Sequence, residues 1–150
     1  MAHQREHPFR GKRSDNPEAQ CDFSYMISSE MFKEFVLPEL VASAKRLDNC
    51  CYHMDGKGQL PHLDMLLAEP VIGGVQWVPG AGAPVCAEWP EVYERIFAAG
   101  KRTMIWGELP AIYDLLKRIG LGGGVHMSPW FPMERQREAR EWLDKFMNWS

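Results

Sequence analysis

The 150-residue chain has no uninterrupted apolar run near the roughly 18 to 20 residues that a membrane-spanning helix needs. Its first residues are polar and lack the hydrophobic stretch of a secretory signal, so the expected location is cytoplasmic, with no membrane partner. Positive charge is not in surplus: 17 Lys and Arg stand against 20 Asp and Glu, a formal charge of -3, and no Arg- or Lys-rich stripe is visible. That composition argues against a nucleic-acid partner. The short basic cluster of Arg10, Lys12 and Arg13 is offset by Glu6, Asp15 and Glu18. Cysteine is scarce, with four residues and neither a C-x-x-C pair nor a zinc-finger spacing. Cys50 and Cys51, if neighbours on a strand, point to opposite faces and do not bridge, which fits a reducing compartment. Phosphate loops are also missing: Gly80, Gly82 and Gly122 to Gly124 make neither G-x-x-x-x-G-K-[ST] nor G-x-G-x-x-G, and read as loop glycines.

The sequence does contain a regular alternation of short apolar runs and amphipathic stretches. Residues 1–20 are rich in charge, Pro and His without hydrophobic period, and read as a loosely attached leader; residues 21–150 read as one domain. Ser28 is a good N-cap for a helix with Phe32, Phe35, Val36, Leu40, Ala44 and Leu47 on one broad face, kinked or broken at Pro38. Strands are predicted at Cys50 to Met54, Val75 to Val78, Lys101 to Trp106 and, more weakly, in GGGVHMS. Helices opened by Pro61, Pro90 and Pro110 intervene, and a last helix carries Ala139, Trp142, Leu143, Phe146 and Met147. Four βα units after one leading helix predict an α/β fold with a parallel sheet, either a small open sheet or half of a (β/α)8 barrel.

One stretch concentrates polar chemistry. In YHMDGKGQLPHLD the pattern His-x-Asp occurs twice, at His53 with Asp55 and at His62 with Asp64. Two residues apart on a strand, His53 and Asp55 leave the same face, which suits a shared metal or an imidazole oriented by a carboxylate. Equally, Asp55-Gly56 can be a turn and His53 a packed strand-end residue. His62 and Asp64 fall where a helix starts and share no face, so capping or a supporting role explains them. Of Gln76 and Trp77, at the end of the next strand, one should line the pocket and the other pack under helices; Trp77 is either an aromatic wall or a core residue. Glu108 and His126, near the ends of the third and fourth strands, are candidates to complete a polar ring.

The order YHMDG, HLDMLL, GVQWVPGAG and W-P-E-x-Y-x-x-I-x-x-A-G-K closely resembles the C-terminal half of the uroporphyrinogen decarboxylase superfamily, over about Cys21 to Leu143. The nearest branch looks like bacterial proteins related to corrinoid-dependent methyltransferases, and DFSYMISSEMFKEFVLPEL fits the family's first strand-to-helix step in this half. The resemblance implies a TIM barrel with its site at the carboxyl ends of the strands, porphyrinogen decarboxylation or corrinoid-linked methyl transfer, and a tetrapyrrole or corrinoid-type ligand. It makes His53 and Asp55 the catalytic candidates and Gln76, Trp77, Glu108 and His126 the substrate-binding ones. It also implies that the arginines and aspartate that hold a porphyrinogen in this family belong to an N-terminal half without counterpart here. The zinc of the methyltransferase branch would fall on His53, but Asp55 stands at one family cysteine and GGVHMSPW lacks the other, so no cofactor is expected with certainty. A rival expectation follows from an open half-barrel with two sheet edges: a non-catalytic assembly module, as a homodimer or in complex with a missing N-terminal half.

Overall fold

The computed structural model of the protein describes residues 18–120, 124–129 and 131–149. The leader expected at residues 1–20 lies outside these except for its end, Glu18–Gln20, which forms the first strand, β1. The other strands are β2 (Cys50–Asp55), β3 (Ile72–Val78), β4 (Arg102–Gly107) and β5 (Val125–Pro129). All pair in parallel and lie in the sheet in the order of the chain, β1-β2-β3-β4-β5. The protein is therefore an α/β protein with a parallel sheet, as expected, with five βα units instead of four because a short strand precedes the leading helix. A doubly wound sheet reverses its strand order at a switch point; the unbroken sequential order found here is that of a barrel segment.

The connections follow the caps and prolines of the sequence. Ser28 opens α1 (Ser29–Met31), its Oγ accepting the Met31 N–H at 3.3 Å. The helix then widens into a π turn over Phe32–Val36 before continuing as α2 (Leu37–Ala44), with Pro38 in its first turn. Pro38 has no N–H to give and its ring would meet the carbonyl four residues back; the wide turn moves that carbonyl aside, so the expected break becomes a bulge. A 3-10 helix at Lys57–His62 leads into α3 (Leu63–Ala68). Pro90 and Pro110 sit in the first turns of α4 (Pro90–Ala98) and α5 (Leu109–Arg118), and α6 (Gln136–Met147) ends the described chain. Among the described residues no helix is long and apolar enough to cross a membrane.

Cross-strand register assigns the two faces. Tyr52, Val75 and Thr103 form one row, and Met54 and Trp77 the next, with Ile105 beyond; all are fully buried against α2 to α5. At the amino ends of the strands, Lys101 Nζ donates to the carbonyls of Glu69 and Ile72 at 2.8 and 2.7 Å, fastening the α3–β3 turn beneath β4. Burial lowers the pKa of this ammonium, and Glu69 partly offsets the effect.

Candidate functional site

The residues between those rows lie on the opposite, open face. Gln20, His53, Gln76, Met104 and His126 stand opposite one another from β1 to β5 and make a single row. One step towards the carboxyl ends come Asp55 opposite Val78, and Trp106 opposite Ser128. Strand alternation thus turns His53 and Asp55 to a common side, as their spacing predicts.

At the centre of the row, His53 Nδ1 and Gln76 Oε1 are hydrogen-bonded at 2.5 Å, while Gln76 Nε2 donates to Met104 Sδ at 3.0 Å. An amide oxygen only accepts, so Nδ1 carries the proton of the neutral imidazole and Nε2 is the basic nitrogen. Gln76 is buried and its amide is held at both ends, which fixes the ring's orientation and tautomer. The Trp106 ring lies 6.5 Å from His53, tilted by 48°, and is 44% exposed. At the carboxyl ends of β2 and β3 a cleft of about 310 Å³ is lined by Asp22, Tyr25, Asp55, Lys57, Gln59 and the Pro79–Ala81 turn, among others; Asp55 is the residue it shares with the His53 side of β2, and His53 and Gln76 are not part of its lining.

The cleft's floor depends on glycine. Gly56 has φ +84°, and a Cβ there would lie 2.7 Å from the Tyr25 ring; at Gly58 it would lie 2.6 Å from the Tyr25 carbonyl oxygen. Both positions therefore exclude any side chain, and Tyr25 rests directly on the backbone after β2. Behind it, Tyr52 OH donates to Gln59 Oε1 at 3.0 Å, and burial pushes the Tyr52 phenol up to about 12.

The remaining sequence candidates separate. Trp77 does not face His53: its side chain is on the helical face, completely buried, with its ring edge against Trp89 at 5.4 Å. It cannot be a wall of this site, because it follows Gln76 by one residue on a strand. The aromatic neighbour of His53 is Trp106, the last residue of the strand predicted at Lys101 to Trp106, two residues after Met104 and so on the same open face. Glu108 precedes α5, two-thirds exposed, and its carboxylate faces Arg135 at 3.8 Å rather than the cleft. His126 belongs to the row but stands three strands from His53, about 14 Å at the usual strand spacing, and does not complete a ring with it.

The second His-x-Asp is divided as its helical spacing requires. His62 is buried, stacked on Phe32 at 4.3 Å, with Nε2 donating to the Ser24 carbonyl at 2.8 Å. It ties the segment after β1 to the 3-10 helix and is structural. Asp64 is exposed and pairs with Arg95 at 2.7 Å.

Zinc does not fit. Among the described residues no group of three or more His, Cys, Asp or Glu is close enough to hold a metal ion. Tests of the chain against family models, curated proteins and solved structures match nothing.

Proposed function

We propose that the chain contributes the C-terminal wall of a uroporphyrinogen decarboxylase-like barrel and acts on a tetrapyrrole-type substrate, with His53 as the proton-handling residue. The observation that carries the reading is the His53–Gln76 pair, on the open face of a sequential parallel sheet whose carboxyl ends carry a polar cleft lined by Asp55. In decarboxylation a carbon–carbon bond breaks and the carbanion left behind must take up a proton; the imidazolium of His53 supplies it from Nε2 while Gln76 keeps the ring in place. Asp55, at the rim on the same face, stabilises that imidazolium or the cationic pyrrole that precedes loss of CO₂. Trp106 offers a flat face to a macrocycle. Methyl transfer to a corrinoid is the other chemistry of the resemblance, but nothing at this site favours it over decarboxylation.

The test is decarboxylation of a uroporphyrinogen followed by chromatography of the products, with quenching of tryptophan fluorescence as the binding readout. His53→Ala should abolish turnover while leaving binding within about threefold, whereas Trp106→Ala should weaken binding by about tenfold. Turnover unchanged in His53→Ala would remove the proposed role. A second reading, a non-catalytic module that works only in assembly, is supported by the edge of β1, which among the described residues pairs with β2 alone.

A further inference from the structure

Gln76 stands between His53 and Met104 in the row that crosses β2, β3 and β4, each residue opposite the next. Its amide has an acceptor end and a donor end of nearly equal size, so the same space admits it in two orientations related by a half-turn. With Oε1 towards the imidazole, as found, Nδ1 of His53 must donate and carries the proton. With the amide turned over, Nε2 of Gln76 would donate to a bare Nδ1, and the imidazole proton would sit on Nε2. The ring does not decide between the two, because each of its neutral tautomers satisfies one of them.

The decision falls at the other end of the amide, where Gln76 Nε2 lies 3.0 Å from Met104 Sδ. A thioether sulfur has lone pairs and no proton: it accepts and cannot donate. In the orientation found it takes the amide N–H. In the turned orientation it would face Oε1, acceptor against acceptor, and Gln76 is only 1% exposed, so water offers that oxygen no substitute donor. The bond to sulfur is weak in itself, but turning the amide both breaks it and leaves a buried acceptor unsatisfied, and the two losses add.

We propose that Met104 is a positioning residue: from β4, two strands away from His53, its sulfur sets the Gln76 amide and through it holds the imidazole as the Nδ1–H tautomer, leaving Nε2 to take and deliver a proton. A methionine between polar neighbours on the open face thus does more than fill space. Leucine would fill a similar volume there but leave the amide without a direction. The control of the tautomer follows from the hydrogen bonds alone; only its consequence for turnover rests on the functional reading above.

Nuclear magnetic resonance of the imidazole nitrogens, at a pH where His53 is neutral, tests the proposal in variants that keep the wild-type circular dichroism spectrum. Met104→Leu should raise the ratio of Nε2–H to Nδ1–H tautomer at His53 about fivefold or more. Met104→Glu returns an acceptor without a proton at this half-buried position and should keep the Nδ1–H form. Gln76→Glu has acceptors at both ends and no wrong way round, so adding Met104→Leu to it should leave the tautomer unmoved. An unchanged tautomer in Met104→Leu overturns the proposal. So does loss of the Nδ1–H form in Met104→Glu, or an equal shift when Met104→Leu is added to Gln76→Glu, since residue 104 would then act through packing. If a porphyrinogen is turned over, Met104→Leu should lower kcat and leave KM within about twofold. A shifted tautomer with kcat unchanged would strike the proton-handling role of His53 and leave the role of Met104 standing.

Discussion

The two faces of the sheet differ more than any two elements of the molecule. On the helical face, Tyr52, Met54, Val75, Trp77, Thr103 and Ile105 are completely buried, and the two hydroxyls have partners: Tyr52 reaches Gln59, and Thr103 Oγ1 donates to the Val75 carbonyl at 2.7 Å. On the open face the same strands present imidazole, amide, thioether and indole, and only Cys51, Gly74 and Gln76 of the central positions are buried. Residues adjacent in sequence therefore do different work, one holding the fold and the next lining the open face. A parallel sheet covered by helices on both sides would not show this asymmetry, because both faces would be apolar.

Substitutions on the helical face should break that comparison most strongly. Trp77→Ala empties the contact with Trp89 and should cost about 3–5 kcal/mol in urea denaturation, enough to unfold a marginal domain. Lys101→Met leaves the Glu69 and Ile72 carbonyls without their donor and should cost about 1–3 kcal/mol. Tyr52→Phe should cost about 1 kcal/mol at neutral pH.

Tyr52 also predicts a pH dependence. Its phenol stays protonated up to about 12 when folded, against 10 as the ordinary value, so the folded state holds the proton longer. That contribution is complete below pH 10 and is lost as pH rises from 10 to about 12. Denaturation midpoints across this window should fall for the wild type and fall less for Tyr52→Phe.

On the open face the effects on stability should be smaller and those on ligand binding or turnover larger. His53→Ala should change stability by no more than about 1 kcal/mol, because its ring is half-buried and makes one hydrogen bond to a side chain. Asp64→Asn should change it least, below about 0.5 kcal/mol, since its pair with Arg95 is largely in solvent.

Much of this architecture was legible because apolar period and proline position agree along the chain. Pro90 and Pro110 mark the first turns of α4 and α5, and Ile112, Leu115 and Leu116 form the buried face of α5. β1 was not legible: Glu-Ala-Gln has no apolar run, and its place in the sheet comes from pairing with β2, a contact with no local trace. The His53–Asp55 relation was readable from strand alternation, and so was the choice between Gln76 and Trp77 in principle, since one must face each way. What fixed which was the register, Gln76 opposite His53, and a register between distant strands is a tertiary fact. The burial of His62 escaped for a related reason: the partners that bury it, Phe32 and the Ser24 carbonyl, lie at least thirty residues away in sequence.

The most direct test of the two-faced sheet is nuclear magnetic resonance of the His and Trp side-chain nitrogens during titration with a uroporphyrin-type tetrapyrrole. The account predicts that His53 is the Nδ1–H tautomer, that its resonances and the Trp106 indole shift together on binding, and that the Trp77 indole does not move. A shift of Trp77 with His53 silent would contradict it.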